Sequence, residues 1–114
     1  GVLALHGDDF IALPAYPSDA VVDPTGCGDT FAGTLAACLA NGDGAVSTTE
    51  LREALVHATV SASFTLEDFG TKGIESISID TYQHRLLRYC TITVSYTHLR
   101  AHETREDRGW RRLL

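Results

Sequence analysis

The sequence predicts a single small α/β domain, and three observations carry that prediction. Two apolar stretches of strand length bracket a glycine-led turn near the start. The apolar spacing then changes to the 3.6-residue period of a helix immediately after a glycine-rich loop. A second helical pattern follows, opened by a recognisable capping signal. With 114 residues the chain fits one domain of about 100–200 residues, not two.

Each element can be justified in order. Residues 2–6 and 10–13 are apolar and flank Gly7-Asp8-Asp9, a turn composition that joins antiparallel strands into a hairpin. Pro14 and Pro17 deny the next stretch regular pairing, and Ala20-Val21-Val22 reads as a short β-branched strand stopped by Asp23-Pro24. From Asp29 onward Phe31, Leu35, Cys38 and Leu39 fall on one helical face. Ala32, Gly33, Ala36, Ala37 and Ala40 fill the gaps, so many small residues that the helix is expected to pack closely on a neighbour. Asn41-Gly42 is expected to end it with a left-handed residue. Ser47-Thr48-Thr49-Glu50 matches a capping box, and Leu51, Leu55, Ala58 and Ala62 share one face of a helix expected to reach Phe64 or Leu66. A loop around Asp68-Phe69-Gly70 and Gly73 precedes a third, shorter helix. There Asp80 is the expected cap, and Tyr82, Leu86 and Tyr89 share a face.

Composition narrows the function classes. Hydrophobic residues make up 44% and charged residues 21%, a globular balance far from that of disordered chains. Nine basic against fifteen acidic residues give a net charge of −6, which disfavours a general nucleic-acid or anionic-membrane surface. No apolar run approaches the ~20 residues of a bilayer span, and the first residues lack a basic leader region. The three cysteines, Cys27, Cys38 and Cys90, are odd in number and widely spaced, suggesting neither a disulfide framework nor a zinc site; a reducing cytoplasm is the expected location. The chain opens without methionine on an apolar stretch and reads as the interior of something longer.

Residues 94–114 differ in character. They carry five of the nine arginine and lysine residues and the sole tryptophan, Trp110. A solvated basic tail and a nucleic-acid tail with Trp110 among arginines are two readings. A third is favoured: the string from Val94 through Thr104 resembles translated sequencing-adapter read-through. The expected division is therefore a domain over 1–93 and a non-native or disordered tail over 94–114. Without that tail the balance is four basic against twelve acidic residues, so any anion must be met by locally built donors.

The stretch Asp23-Pro24-Thr25-Gly26-Cys27-Gly28-Asp29 is where such donors can gather. Two glycines flanking a small residue let the backbone turn and direct successive N–H groups into one concavity, reinforced by the positive end of the following helix. The Gly-x-x-x-x-Gly-Lys pattern of a P-loop is absent, and the single lysine, Lys72, lies far away in sequence. A carboxylate beside an anion hole repels the anion, so Asp29 makes sense there as a base that accepts a proton from an attacking hydroxyl. The bland alternative is that Asp29 caps the helix.

The longer stretch resembles the C-terminal motif of the ribokinase-like, or PfkB, family of carbohydrate and nucleoside kinases, usually Asp-Thr-x-Gly-Ala-Gly-Asp. Asp23, Thr25, Gly26, Gly28, Asp29 and Phe31 match it, and with the flanking elements the resemblance spans roughly residues 1–90. It implies the C-terminal part of a three-layer α/β/α domain, with a mainly parallel sheet and the hairpin at one edge. It further implies an ATP-dependent phosphotransferase acting on a hydroxyl of a sugar or nucleoside, with Mg2+ on the triphosphate. Asp29 matches the catalytic base, and Gly26, Cys27 and Gly28 match the anion hole, with Thr25 beside them. Cys27 replaces the usual alanine; a reactive thiol is its functional alternative. Asp23 and Thr25 match positions that help hold a monovalent cation, K+, in some members. His57 falls near a residue that contacts adenine, although a lone helical histidine is more often an ordinary one. Gly70 matches a glycine in the loop closing the nucleotide site. No nucleic-acid or membrane partner is implied, and a homodimer of the full-length parent is compatible with the resemblance. Two rivals stand beside an active kinase: a fragment inactive alone, and a non-catalytic nucleotide-binding module.

Overall fold

The computed structural model describes residues 1–40, 42 and 44–103. Strands β1 (Val2–His6) and β2 (Asp9–Leu13) are followed by helices α1 (Cys27–Ala40), α2 (Thr48–Leu66), α3 (Lys72–Glu75) and α4 (Ile79–Glu103). Of the tail expected over 94–114, residues through Glu103 belong to the α4 backbone, and residues 104–114 lie outside the described residues. No helix among the described residues is long and apolar enough to cross a membrane.

The hairpin forms as the two apolar stretches and the glycine-led turn predict. β1 and β2 pair antiparallel with Val2 opposite Leu13 and His6 opposite Asp9. Only Gly7 and Asp8 remain in the turn, and Gly7 takes φ 61°, a conformation that suits glycine at the first position of a two-residue turn. Because side chains alternate along a strand, Ile11 and Leu13 go into the core while Leu3 and Leu5, opposite Ala12 and Phe10, stay exposed.

Helix α2 is the centre of the molecule. On one side Leu55 joins Ile11 and Leu13, with Phe31 and Leu35 of α1 packed against them. On the other, Val60 and Phe64 meet Tyr89 of α4, flanked by Tyr16, Ile74, Tyr82 and Leu86. The single apolar face expected for α2 is therefore corrected: its second half is buried nearly all round, including Thr59, Ser61, Ser63 and Thr65. These residues are polar in sequence but satisfy themselves inside. Thr59 Oγ1 donates to the Leu55 carbonyl at 2.8 Å and Ser63 Oγ to the Val60 carbonyl at 2.5 Å, so burial costs no unmade bond.

Three other expectations are corrected. Residues 20–22 are not a strand: Val21 and Val22 are 61% and 44% exposed, no strand lies beside them among the described residues, and the Val22 and Asp23 N–H groups instead share the Leu66 carbonyl. The apolar face expected for α1 holds: Phe31 and Leu35 pack against the Leu55 cluster, Cys38 and Leu39 are half-buried, and Ala32, Gly33, Ala36 and Ala37 are exposed. The left-handed glycine after α1 is Gly44, at φ 103°, and not Gly42; Asn41 lies outside the described residues. Finally Ser78, rather than Asp80, opens α4 by accepting the Thr81 N–H at 3.1 Å, and a one-turn helix, α3, occupies part of the expected loop.

The predicted start of α2 holds: Ser47 Oγ accepts the Glu50 N–H at 3.1 Å, as a capping box requires. The sheet among the described residues is two-stranded and antiparallel, so the parallel sheet and the three layers stay with the family expectation.

Candidate functional site: the glycine loop at the start of α1

The 23–29 loop is delivered to the first turn of α1 by a turn and a glycine. Asp23 Oδ1 accepts the Thr25 N–H at 3.0 Å, the local side-chain turn for which aspartate is suited. That bond from the Thr25 backbone, with a second from its side chain, holds the Asp23 carboxyl below the usual carboxylate value. Gly26 follows at φ 88°, in the left-handed region that only glycine enters without strain. Its carbonyl accepts the Thr30 N–H at 2.9 Å, which makes Gly26 the residue from which the helix grows.

This geometry decides which donors are open. The first N–H groups of any helix have no acceptor within it. Here the Cys27 N–H is taken by the Pro24 carbonyl at 3.2 Å, while those of Gly26, Gly28 and Asp29 have no backbone acceptor among the described residues. The open set is thus Gly26, Gly28 and Asp29. The motif reading missed the last of these, because attention went to the aspartate's side chain; counting helix positions from Gly26 would have found it.

The loop is anchored from beneath by α2. Thr30 Oγ1 lies 2.8 Å from Thr65 Oγ1, and Cys27 Sγ contacts the Ala62 carbonyl at 3.7 Å. Burial, followed by the nearby Asp23 charge, pushes the Cys27 thiol up. A thiol so held is protonated at neutral pH, which weighs against the reactive-cysteine alternative. Cys27 and Gly28 line a mostly apolar cleft of about 420 Å3 running between the start of the hairpin, Tyr16, Phe31 and the α2 residues Thr59, Ala62 and Leu66.

Asp29 occupies the third position of α1, in its first turn. It is exposed and its carboxylate makes no hydrogen bond among the described residues, so it does not act as the cap that the bland reading would make it. A carboxylate left in water beside open N–H donors can accept a proton from a hydroxyl brought to it.

The model matching the chain over residues 1–77 is that of the pfkB family of carbohydrate kinases. This chain belongs to that family. Membership brings an α/β fold of ribokinase-like kind and, in general terms, kinase-type function. No curated protein gives a significant match. The matched region contains both strands, α1, α2 and the glycine loop, and stops just before α4.

The other predicted residues are not all brought to the loop. His57 lies eight residues before Thr65, about 12 Å along the helix axis at 1.5 Å per residue. Its Nδ1 is 2.9 Å from the Tyr82 hydroxyl, and the two rings stack at 6.0 Å. His57 therefore lines the seam between α2 and α4. Gly70, at φ 57°, lies four residues beyond Leu66, the residue whose carbonyl receives the linker into the loop. Among the described residues no three His, Cys, Asp or Glu side chains come together as metal ligands.

Proposed function

We propose that the 23–29 loop is the phosphoryl-binding half of an ATP-dependent kinase that phosphorylates a hydroxyl of a sugar or nucleoside. The carrying observation is the conjunction of the family match with three open N–H groups and an unpaired carboxylate in one helical turn. In this reading the N–H groups of Gly26, Gly28 and Asp29 receive the negative charge that grows on the γ-phosphoryl oxygens during transfer. Such preorganised donors lower the barrier because they need no reorientation as charge develops. Asp29 takes the proton from the acceptor hydroxyl as its oxygen attacks phosphorus in line with the departing diphosphate. Cys27 contributes backbone shape rather than a thiolate. Thr25 and the ionised Asp23 are the proposed donors toward K+. Magnesium would neutralise charge on the triphosphate and arrive with it. His57 and Gly70 have no part in the transfer step as drawn; a contact of His57 with adenine would require it to part from Tyr82.

The reading extends to a cytoplasmic location and to the C-terminal position of these elements within a three-layer parallel-sheet domain, whose remaining part supplies the acceptor pocket. The test is a titration of the chain with ATP, followed by amide shifts of Gly26, Gly28 and Asp29, and a transfer assay over a panel of sugars and nucleosides. ATP is expected to shift those three amides first. In any context where transfer is measurable, Asp29→Asn is expected to abolish it while leaving ATP binding within about twofold. Near-normal turnover in that variant would sink Asp29 as the base.

A further inference from the structure

We infer that Arg85 and Tyr89, on α4, are positioning residues for the glycine loop, acting through the linker that enters it. This rests on the kinase reading for its functional meaning but not for its geometry.

Residues 14–24 run from β2 to the loop without regular secondary structure. Holding such a segment in one conformation costs on the order of 1–2 kcal/mol per residue in backbone entropy, so its order must come from tethers. Four are present. The Tyr89 hydroxyl donates to the Pro14 carbonyl at 2.5 Å. The Tyr16 ring meets the Tyr89 ring at 6.2 Å and the Arg85 guanidinium at 4.9 Å. Ser18 Oγ donates to Glu67 Oε2 at 2.5 Å. Val22 and Asp23 donate to the Leu66 carbonyl at 2.9 and 3.1 Å.

Arg85 ties these tethers together. One guanidinium nitrogen donates to Glu67 Oε1 at 2.8 Å and another to Ser63 Oγ at 3.0 Å, while the plane lies 3.8 Å from the Phe64 ring centre. Holding one Glu67 oxygen, it leaves the other turned to Ser18. The planar fork of arginine suits that division between a carboxylate, a hydroxyl and a ring face. Glu67 adjoins Leu66, so the same short stretch of α2 carries the final tether before Thr25 and Gly26. Tyr89 fixes where the linker begins and Arg85 where it ends. Both lie beyond the family-matched 1–77 region, so α4 adds a clamp to the loop from outside the matched sequence.

The test is residue-resolved amide exchange on the intact chain, with ATP titration beside it, in Arg85→Met, Arg85→Lys and Tyr89→Phe. Arg85→Met is expected to speed exchange at Val22 and Asp23 by about tenfold or more, with Ile11 and Ala58 unchanged. ATP affinity should fall several-fold, and Arg85→Lys should recover part of both losses. Tyr89→Phe, which keeps the buried ring, should loosen the same amides less and serves if the methionine variant does not fold. Unchanged exchange at Val22 and Asp23, or a uniform rise that includes Ile11 and Ala58, would overturn the inference. Absence of ATP binding in the parent chain would overturn the kinase reading alone, since the exchange pattern would still decide whether α4 orders the loop.

Discussion

The hydroxyls of Thr30 and Thr65 meet at 2.8 Å, joining the first turn of α1 to the last turn of α2. Thr65 is 2% exposed, so a partner removed on one side leaves a polar atom with little access to water. Thr65→Val, which keeps the branched shape, is expected to cost about 1–2 kcal/mol. In a domain this size that lowers Tm by roughly 4–16 °C. Adding Thr30→Val should recover part of the loss, because neither hydroxyl is then stranded; thermal melts of the two singles and the double would show an additive result if the bond is unimportant.

Gly26 makes a conformational demand instead of a steric one. A Cβ there would meet only Thr65 Cγ2, at an ordinary 3.7 Å, yet the backbone sits at φ 88°. Gly26→Ala is therefore expected to lose about 1–2 kcal/mol from left-handed strain and to displace the N–H groups of the loop. Denaturant unfolding gives the first and the ATP-induced amide shifts give the second. Full stability in the alanine variant would refute the assigned backbone.

The hairpin turn docks on α2 through a directed chain. Thr48 Oγ1 donates to Asp9 Oδ2 at 2.6 Å, and His6 Nδ1 lies 3.0 Å from Thr48 Oγ1. A hydroxyl has one proton to give, so His6 must carry hydrogen on Nδ1 and donate it. Nitrogen-15 shifts of the His6 ring above neutral pH should report the Nδ1–H tautomer. Thr48→Val should release that preference and cost about 1 kcal/mol; a persistent Nε2–H tautomer in the parent would contradict the chain of donors.

Glu67 predicts the acid side of the stability curve. Burial raises its carboxyl, but hydrogen bonds from Arg85 and Ser18 and the Arg85 charge outweigh it, and the carboxyl is held below its ordinary value of 4.5. With a depressed folded value, the stabilisation is complete above about pH 4.5 and is lost as pH falls through the folded value. Melting temperatures should drop through that window, and the drop should be shallower in Glu67→Gln. The pair is partly open to water, so the contribution is modest.

Much of the local structure was legible because short-range signals set it. Two apolar stretches flanking the Gly7 turn specified the hairpin, and Ser47 with Glu50 specified where α2 begins. The glycine loop was legible for the same reason. What escaped depended on distant partners. Residues 20–22 have strand composition but no neighbouring strand among the described residues, and the Leu66 carbonyl receives the Val22 and Asp23 N–H groups instead. Only one apolar face of α2 was legible, through Leu51, Leu55, Ala58 and Ala62; the burial of Ser61, Ser63 and Thr65 depends on partners distant in sequence. His57 was expected near adenine only through the family resemblance, and the packing of Tyr82 shows which side of α2 it serves. The engaged Cys27 N–H follows from the single bond to Pro24, which no residue type announces.

The bond between Tyr89 and Pro14 spans 75 positions of the chain, and that separation sets an order of events. The hairpin and the α1–α2 pair join residues near in sequence and can form early, whereas a contact this distant must first close a long loop. During synthesis the linker cannot settle until residue 89 has left the ribosome. Pulse-labelled exchange should accordingly find Ile11 protected before Val22 and Asp23, making the glycine loop the last part of the molecule to mature.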